Sequence, residues 1–238
     1  MTELVFRSEP YKKAMNATVL ESGRPGRIVL DRTVFYAAGG GQPGDTGRID
    51  WPNGTSAVVD AVKADSGRVE LVLADDDPVP PVGADILQTL DWDRRYKHMR
   101  MHTALHLLSV VIPLAVTGGS VGADKSRLDF NMPNPPSDKA ALESELNELI
   151  ARDLTVSEVW ITDEELAANP GLVKTMSVMP PTGTGKVRLI RIADEGEQVD
   201  LQPCGGTHVA KTGEIGAIRF GKIENKGRQN RRVNLHLA

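Results

Sequence analysis

The sequence predicts an α+β protein in which a small antiparallel β-barrel precedes helices packed against an antiparallel sheet. Residues 1–90 contain short strand patterns separated by turns, with no amphipathic helix. Residues 92–112 form a long segment without glycine or proline, and the remaining chain alternates helical stripes with strand patterns. We therefore expect two domains, residues 1–90 and residues 91–238.

Short runs of β-branched and apolar residues define the predicted barrel strands. Pro52-Asn53-Gly54 separates two of them and is typical of a hairpin turn. Several short strands at this spacing indicate a small antiparallel barrel. The six predicted strands are residues 17–20, 27–30, 46–50, 57–62, 69–73 and 86–90.

The second half begins with a predicted helix over 92–112, because Asp91 and Asp93 favour a helix N-terminus and Pro113 ends the segment. Residues 117–122 are interpreted as a glycine-rich turn. A second helix follows Asp138, and Thr162 opens a capping-box pattern. The predicted strands here are residues 127–132, 156–161, 187–192, 198–201, 215–223 and 232–237.

Composition limits the classes of function. The chain has 238 residues, is 40% hydrophobic and 25% charged, and has no run near the ~20 apolar residues of a membrane span. A single cysteine forms no internal disulfide, so we expect a cytoplasmic protein without a membrane partner. Its net charge of −4 means that any RNA must meet a local basic patch.

Two short motifs contain most of the histidine and cysteine side chains of this sequence. His102 and His106 are spaced i, i+4, so a helix places both imidazoles on one face. Cys204 and His208 repeat the spacing around two glycines. Alone, the first pair could be ordinary histidines and the second a nucleophile turn or loop, but together they predict one metal site, with zinc as the metal. His98 lies on the same stripe and is interpreted as a neighbour of the site.

Glycine-rich and basic segments are candidate RNA contacts. Residues 39–47 hold many glycines whose amides a ligand can approach, or form a flexible loop between strands. Four cations crowd the start of the long helix, and a second basic cluster lies near residues 222–232. Both clusters suit RNA-backbone contacts, and both also fit a solvated surface.

Three motifs resemble the editing domain of alanyl-tRNA synthetase: residues 100–108, Leu128-Asp129-Phe130 and residues 204–209. Residues 39–47 resemble the glycine-rich motif of the domain that precedes it. The chain as a whole is similar to the AlaX family of free-standing alanyl-tRNA editing proteins, in its medium-length form.

The resemblance implies a barrel followed by a two-layer α/β editing domain that holds one Zn²⁺. It also implies hydrolysis of serine, and in some members glycine, from the acceptor end of mischarged tRNA(Ala). Leu105 stands where the synthetase motif usually has threonine, so Thr117 is our candidate partner for the serine hydroxyl. The Gly205 and Gly206 amides are candidates for holding the oxyanion, and no residue is assigned as catalytic base. The predicted tRNA-facing residues are Gly40, Gly41, Gln42, Arg95, Arg100, Lys226 and Arg228.

Two other functions stay open on sequence grounds. The first is editing of Ser-tRNA(Thr), because the editing domain of threonyl-tRNA synthetase has the same combination of a His/His pair and a Cys/His pair. The second is an RNA-binding module whose zinc is structural. The sequence is compatible with either a monomer or a dimer.

Overall fold

A computed structural model describes residues 2–176 and 185–238, and the chain divides into two compact units, Met1–Tyr96 and Lys97–Ala238. Among the described residues, the α-helices and strands of the first unit that precede α2 are β1 Glu3–Leu4, α1 Val5–Ser8, β2 Ala14–Arg24, β3 Arg27–Leu30, β4 Arg32–Thr33, β5 Gly47–Trp51, β6 Gly54–Lys63, β7 Val69–Leu73 and β8 Asp85–Leu90. The others are α2 Trp92–Val111, β9 Val116–Ser120, β10 Lys125–Asn131, α3 Lys139–Ala151, β11 Thr155–Ile161, α4 Asp163–Ala168, β12 Val187–Ala193, β13 Gln198–Pro203, β14 Ile218–Asn225 and β15 Asn230–Leu237.

The first unit is a closed antiparallel barrel with strand order β2-β3-β7-β6-β5-β8. Alternate residues face its interior, as Val69, Leu71 and Leu73 do on β7. Gln88 is also buried, and its side chain accepts from the Thr33 hydroxyl at 2.9 Å and donates to the Arg32 carbonyl at 3.1 Å. These bonds offset the cost of burying a polar amide. The predicted small barrel is confirmed.

The described part of the second unit contains two antiparallel sheets, ordered β14-β15-β10-β9 and β11-β12-β13. Helix α3 covers the outer edge of β14. The Asn147 amide donates to the Ile218 carbonyl and accepts from its N–H, both at 2.9 Å, and Glu143 accepts from the Phe220 N–H at 2.7 Å. Side chains thus satisfy backbone groups that an exposed edge would leave open.

Helix ends follow the predicted capping residues. The Asp91 side chain accepts from the Arg94 N–H at 3.3 Å at the start of α2, and Asp138 accepts from the Ala141 N–H at 2.9 Å. Thr162 and Glu165 form the predicted capping box of α4. No helix in residues 2–176 or 185–238 has the length and apolar character needed to cross a membrane.

One predicted turn is wrong. Residues 117–122 were expected to turn, but Val116–Ser120 is strand β9, in which Gly118 and Gly119 pair with Asp129 and Leu128. Pairing with β10 overrides the weak intrinsic preference of glycine against strands. The domain limits 1–90 and 91–238, and the two-layer arrangement of the second half, stay predictions.

Candidate metal centre

Four side chains of the second unit converge on one point. His102 and His106 come from one face of α2, Cys204 follows the end of β13, and His208 follows the Cys-Gly-Gly turn. Their ligand atoms all lie within 4.8 Å of one another. The three imidazoles are buried, and Cys204 is partly exposed. Three imidazole nitrogens and one thiolate form a donor set that can hold a borderline-soft divalent metal.

Thr103 fixes the orientation of His208. Its hydroxyl donates to the Met99 carbonyl at 2.9 Å, as is common in helices, so an oxygen lone pair is left for His208 Nδ1 at 3.1 Å. The Nδ1 atom must therefore carry the proton. The lone pair of Nε2, 3.3 Å from Cys204 Sγ, is then directed into the cluster.

Asp200 orients His106 in the same way. His106 Nδ1 donates to Asp200 Oδ2 at 3.0 Å, and the same ring also contacts Cys204. The Asp200 side chain is fully buried and also accepts from Lys174 at 2.6 Å and Gln202 at 2.8 Å. Sequence reasoning missed Asp200. Its signal was the alternation of Asp200, Gln202 and Cys204, which places the three side chains on one face of an extended strand.

The turn that carries Cys204 is held from both sides. The Gly206 N–H points to Cys204 Sγ at 3.4 Å, and the Arg188 guanidinium donates to the Cys204 and Gly206 carbonyls, both at 3.0 Å. Glu158 accepts from Arg188 at 2.7 Å. This arrangement supplies an N–H donor to the sulfur and fixes the direction of the turn.

Electrostatics favour the ligand forms of Cys204 and His208, but not that of His106. Burial raises the pKa of the Cys204 thiol, but the nearby His102 and His208 outweigh burial and hold that pKa well below its usual value. Burial and the neighbouring His102 lower the pKa of His208 to about 3. Burial lowers the pKa of His106, but hydrogen bonds to Asp200 and Cys204 outweigh it and raise the pKa to about 9. Metal binding would therefore release a proton from His106.

Two family models match the chain. The model described as the threonyl and alanyl tRNA synthetase second additional domain matches residues 187–234, which include Cys204 and His208. The model of class II (A) tRNA synthetases matches residues 8–94, which include the glycine-rich segment.

Similarity to curated proteins extends over the whole chain. Alanyl-tRNA editing protein AlaX-M of Methanosarcina mazei is 36% identical over 100% of this chain and 97% of its own length. The AlaX-M protein of Methanosarcina barkeri is 36% identical over all of both chains. The chain belongs to the AlaX-M family. An alanine–tRNA ligase of Pyrobaculum arsenaticum is 34% identical over 94% of this chain but only 25% of the ligase, so the AlaX-M chain corresponds to one portion of that enzyme.

Two residues that we expected to face tRNA in this AlaX-M chain are buried. Arg95 is 0% exposed, and its guanidinium binds the Asp45 carboxylate, with Nε at 3.0 and 2.9 Å from the two oxygens. It also donates to the Pro10 carbonyl at 3.1 Å. A guanidinium enclosed in this way does not reach a phosphate, so the prediction for Arg95 is wrong. Gln42 is 2% exposed, and its side chain is likewise withdrawn from the surface.

The other predicted contacts lie in different settings. Gly40 and Gly41 are exposed, with φ of 58° and 83°, so the tip of the glycine-rich segment is accessible. Arg100 is partly buried and donates from Nε to the Ile215 carbonyl at 2.9 Å. Lys226 and Arg228 are exposed in the loop between β14 and β15.

Thr117, Gly205 and Gly206, the predicted substrate-binding residues, differ in exposure and in hydrogen bonding. Thr117 lies on β9, and its hydroxyl contacts the Asp129 carbonyl at 3.1 Å and Asn230 Oδ1 at 3.0 Å. Gly205 is exposed, whereas Gly206 is buried with its N–H directed to sulfur. The Gly206 amide is therefore occupied by the thiolate instead of being presented to an oxyanion.

Proposed function

We propose that this protein is a trans-editing aminoacyl-tRNA deacylase that hydrolyses Ser-tRNA(Ala) and holds one Zn²⁺ at His102, His106, Cys204 and His208. The observation that carries the proposal is the convergence of these four donors in a chain that matches AlaX-M proteins over its full length. Those relatives are named as alanyl-tRNA editing proteins. Glycine on the same tRNA is the second substrate to test.

The donor set supports zinc as the metal. Zinc takes imidazole nitrogen and thiolate sulfur in a tetrahedral arrangement, and both Thr103 and Asp200 hold a ring so that its Nε2 faces the centre. When bound, zinc supplies a Lewis acid that polarises an ester carbonyl or lowers the pKa of a water. The chain itself fixes the imidazoles, keeps the thiolate hydrogen-bonded through the Gly206 amide, and holds the turn through Arg188.

Asp200 is not placed to act as a general base. Its two oxygens accept from His106, Lys174 and Gln202, so a proton on this carboxylate would remove a hydrogen bond in the buried network. We therefore assign Asp200 no proton transfer with substrate. The Gly205 amide, in the exposed part of the turn, remains our candidate for contact with the ester oxygen.

Discrimination against alanine needs a polar partner for the serine hydroxyl. An apolar pocket separates substrates that differ by one hydroxyl by only about a hundredfold, whereas an unmet buried polar group rejects the wrong ligand more strongly. We propose Thr117 for this role, because its oxygen retains accepting capacity beside Asp129 and Asn230. The exposed Gly40, Gly41, Lys226 and Arg228, together with the partly buried Arg100, are proposed to contact the tRNA.

The test is deacylation of Ser-tRNA(Ala) beside Ala-tRNA(Ala) by the zinc-loaded protein. His106→Ala removes a proposed ligand, and His236→Ala removes a half-buried imidazole on β15 as the matched control. We expect loss of serine but not alanine, abolished in His106→Ala and kept in His236→Ala. Circular dichroism of both variants establishes that the comparison is between folded proteins.

Two alternatives predict different results. Four protein ligands are typical of a structural zinc, so an RNA-binding module is a competing function. It predicts tRNA binding without deacylation at full zinc occupancy. The matching family model also covers threonyl-tRNA synthetases, and faster hydrolysis of Ser-tRNA(Thr) than of Ser-tRNA(Ala) would reassign the substrate.

A further inference from the structure

Asp200 lies at the centre of a buried polar network that extends from the metal cluster. Three donors converge on its two oxygens: His106 Nδ1 at 3.0 Å and Gln202 Nε2 at 2.8 Å on Oδ2, and Lys174 Nζ at 2.6 Å on Oδ1. Ser109 closes the network, since its oxygen accepts from Lys174 at 3.3 Å and from Gln202 at 3.2 Å.

We infer that Asp200 is the positioning residue of the metal centre, which holds His106 with its proton on Nδ1 and its Nε2 lone pair toward the other three ligands. A carboxylate that accepts from the distal nitrogen fixes the ring plane and makes the coordinating nitrogen a better donor. Because the side chain is fully buried, bulk water does not compete with it for the His106 N–H. The inference rests on the proposed metal site but not on the identity of the substrate.

Because Lys174 donates to Asp200 from the side opposite the other donors, residue 200 must accept hydrogen bonds at both of its oxygens, as an ionised carboxylate does. A carboxylate accepts at both oxygens, whereas an asparagine presents two N–H donors on one side. In Asp200→Asn, the amide group must therefore face either the Lys174 ammonium or the His106 and Gln202 donors. Either choice brings donors together and removes a hydrogen bond from the network.

The design gives a specific set of variants. Asp200→Asn is expected to lower zinc affinity by about 10- to 100-fold, as for other partners of metal-bound histidines. Lys174→Met keeps the carboxylate on His106 and is expected to lower affinity less. In the double variant Asp200→Asn/Lys174→Met, the amide oxygen can face His106 without opposing the ammonium, so most of the affinity is expected to return. Asp194→Asn, a surface carboxylate that pairs with Arg152, is the matched control.

Two readouts do not depend on deacylation. Zinc affinity is measured by competition with a chromophoric chelator, and long-range ¹H–¹⁵N spectra of ¹⁵N-histidine-labelled protein report which nitrogen of His106 carries the proton. The expected result is a protonated Nδ1 in the wild type and a changed His106 signal in Asp200→Asn. A folded Asp200→Asn protein with wild-type zinc affinity and an unchanged His106 signal would overturn the inference.

The outcomes also separate this inference from the proposed function. If the wild type binds no zinc, the metal site itself is wrong. If zinc binds and depends on Asp200 but no aminoacyl-tRNA is hydrolysed, the positioning role stands and the deacylase is wrong. If Asp200→Asn does not fold, the double variant Asp200→Asn/Lys174→Met is measured in its place. A low zinc affinity of the double variant, without the wild-type His106 Nδ1 proton signal, would equally contradict the proposed orientation.

Discussion

Replacing Arg95 by methionine should destabilise the barrel unit far more than replacing an exposed arginine. The Arg95 guanidinium is fully buried and paired with Asp45, whose side chain is 2% exposed. Methionine keeps the apolar stem but leaves the carboxylate with the Tyr36 N–H, at 2.6 Å, as a remaining donor. Removing one partner of a buried ion pair typically costs about 3–5 kcal/mol, because the other charge stays uncompensated.

Two backbone groups add to that cost. Arg95 also donates to the Pro10 and Val34 carbonyls, at 3.1 and 2.6 Å, and these acceptors lose their partner in the variant. Each such loss is worth on the order of 1 kcal/mol. We therefore expect the free energy of unfolding of the barrel unit to fall by at least about 3 kcal/mol.

Urea denaturation followed by tryptophan fluorescence measures this change. The chain has three tryptophans, of which Trp51 and Trp92 lie in the barrel unit, so a Trp160→Phe background restricts the signal to that unit. Arg48→Met is the matched control, since Arg48 pairs with Asp50 at 2.9 Å but is 62% exposed. An exposed pair contributes about 0–1 kcal/mol.

The result also decides between two roles for Arg95. If Arg95→Met unfolds within about 1 kcal/mol of Arg48→Met, the buried-pair reasoning is refuted. A tRNA-contacting arginine would instead give normal stability with weaker, salt-dependent RNA binding. In Asp45→Asn/Arg95→Met no buried charge is left, so part of the lost stability should return.

Two further predictions concern the second unit. Burial raises the pKa of Asp129, but hydrogen bonds from Arg232 and Arg127 outweigh it and hold that pKa below its usual value. The ionised Asp129 therefore stabilises the folded protein fully above the unfolded-state pKa near 4, and this contribution is lost as pH falls through the lower folded-state pKa. We expect Asp129→Asn to flatten the acid side of the pH–stability profile. Urea denaturation at pH 2–7 measures this change. Thr117→Val should lower kcat/KM for Ser-tRNA(Ala) by about 10- to 100-fold and leave Gly-tRNA(Ala) unchanged; equal losses on both substrates would exclude Thr117 as the hydroxyl partner.

Local sequence patterns predicted the strands and helices whose formation depends on neighbouring residues. The period-two alternation around Leu71 located a barrel strand, and the i, i+4 spacing of His102 and His106 placed both rings on one helix face. Such patterns depend on residues within one or two turns of each other. They therefore carry over directly into the folded chain.

Long-range pairing was not visible in the same way. Arg94, Arg95, Lys97 and Arg100 form one cationic run in the sequence, yet Arg95 is buried because it pairs with the carboxylate of Asp45, fifty residues away. A charge on a helix is normally exposed unless it is paired, and its partner cannot be read from the helix itself. The strand at Gly118 was missed for a similar reason, because β10 supplies the hydrogen bonds that glycine propensity argues against.

The metal cluster depends both on local spacing and on long-range contacts. His102 and His106 are local to α2, but the groups that direct the imidazoles come from remote segments: Asp200 on β13 holds His106, and Thr103 on α2 holds His208. A metal at this point therefore links α2 to the turn after β13 and stabilises the folded unit by an amount that grows with the logarithm of its affinity, whether or not it takes part in hydrolysis. Loss of stability on chelation alone is consequently expected under both the deacylase and the structural-zinc hypotheses. The selective release of serine by protein whose folding has been verified, with His106→Ala beside His236→Ala, is the observation on which the two hypotheses differ.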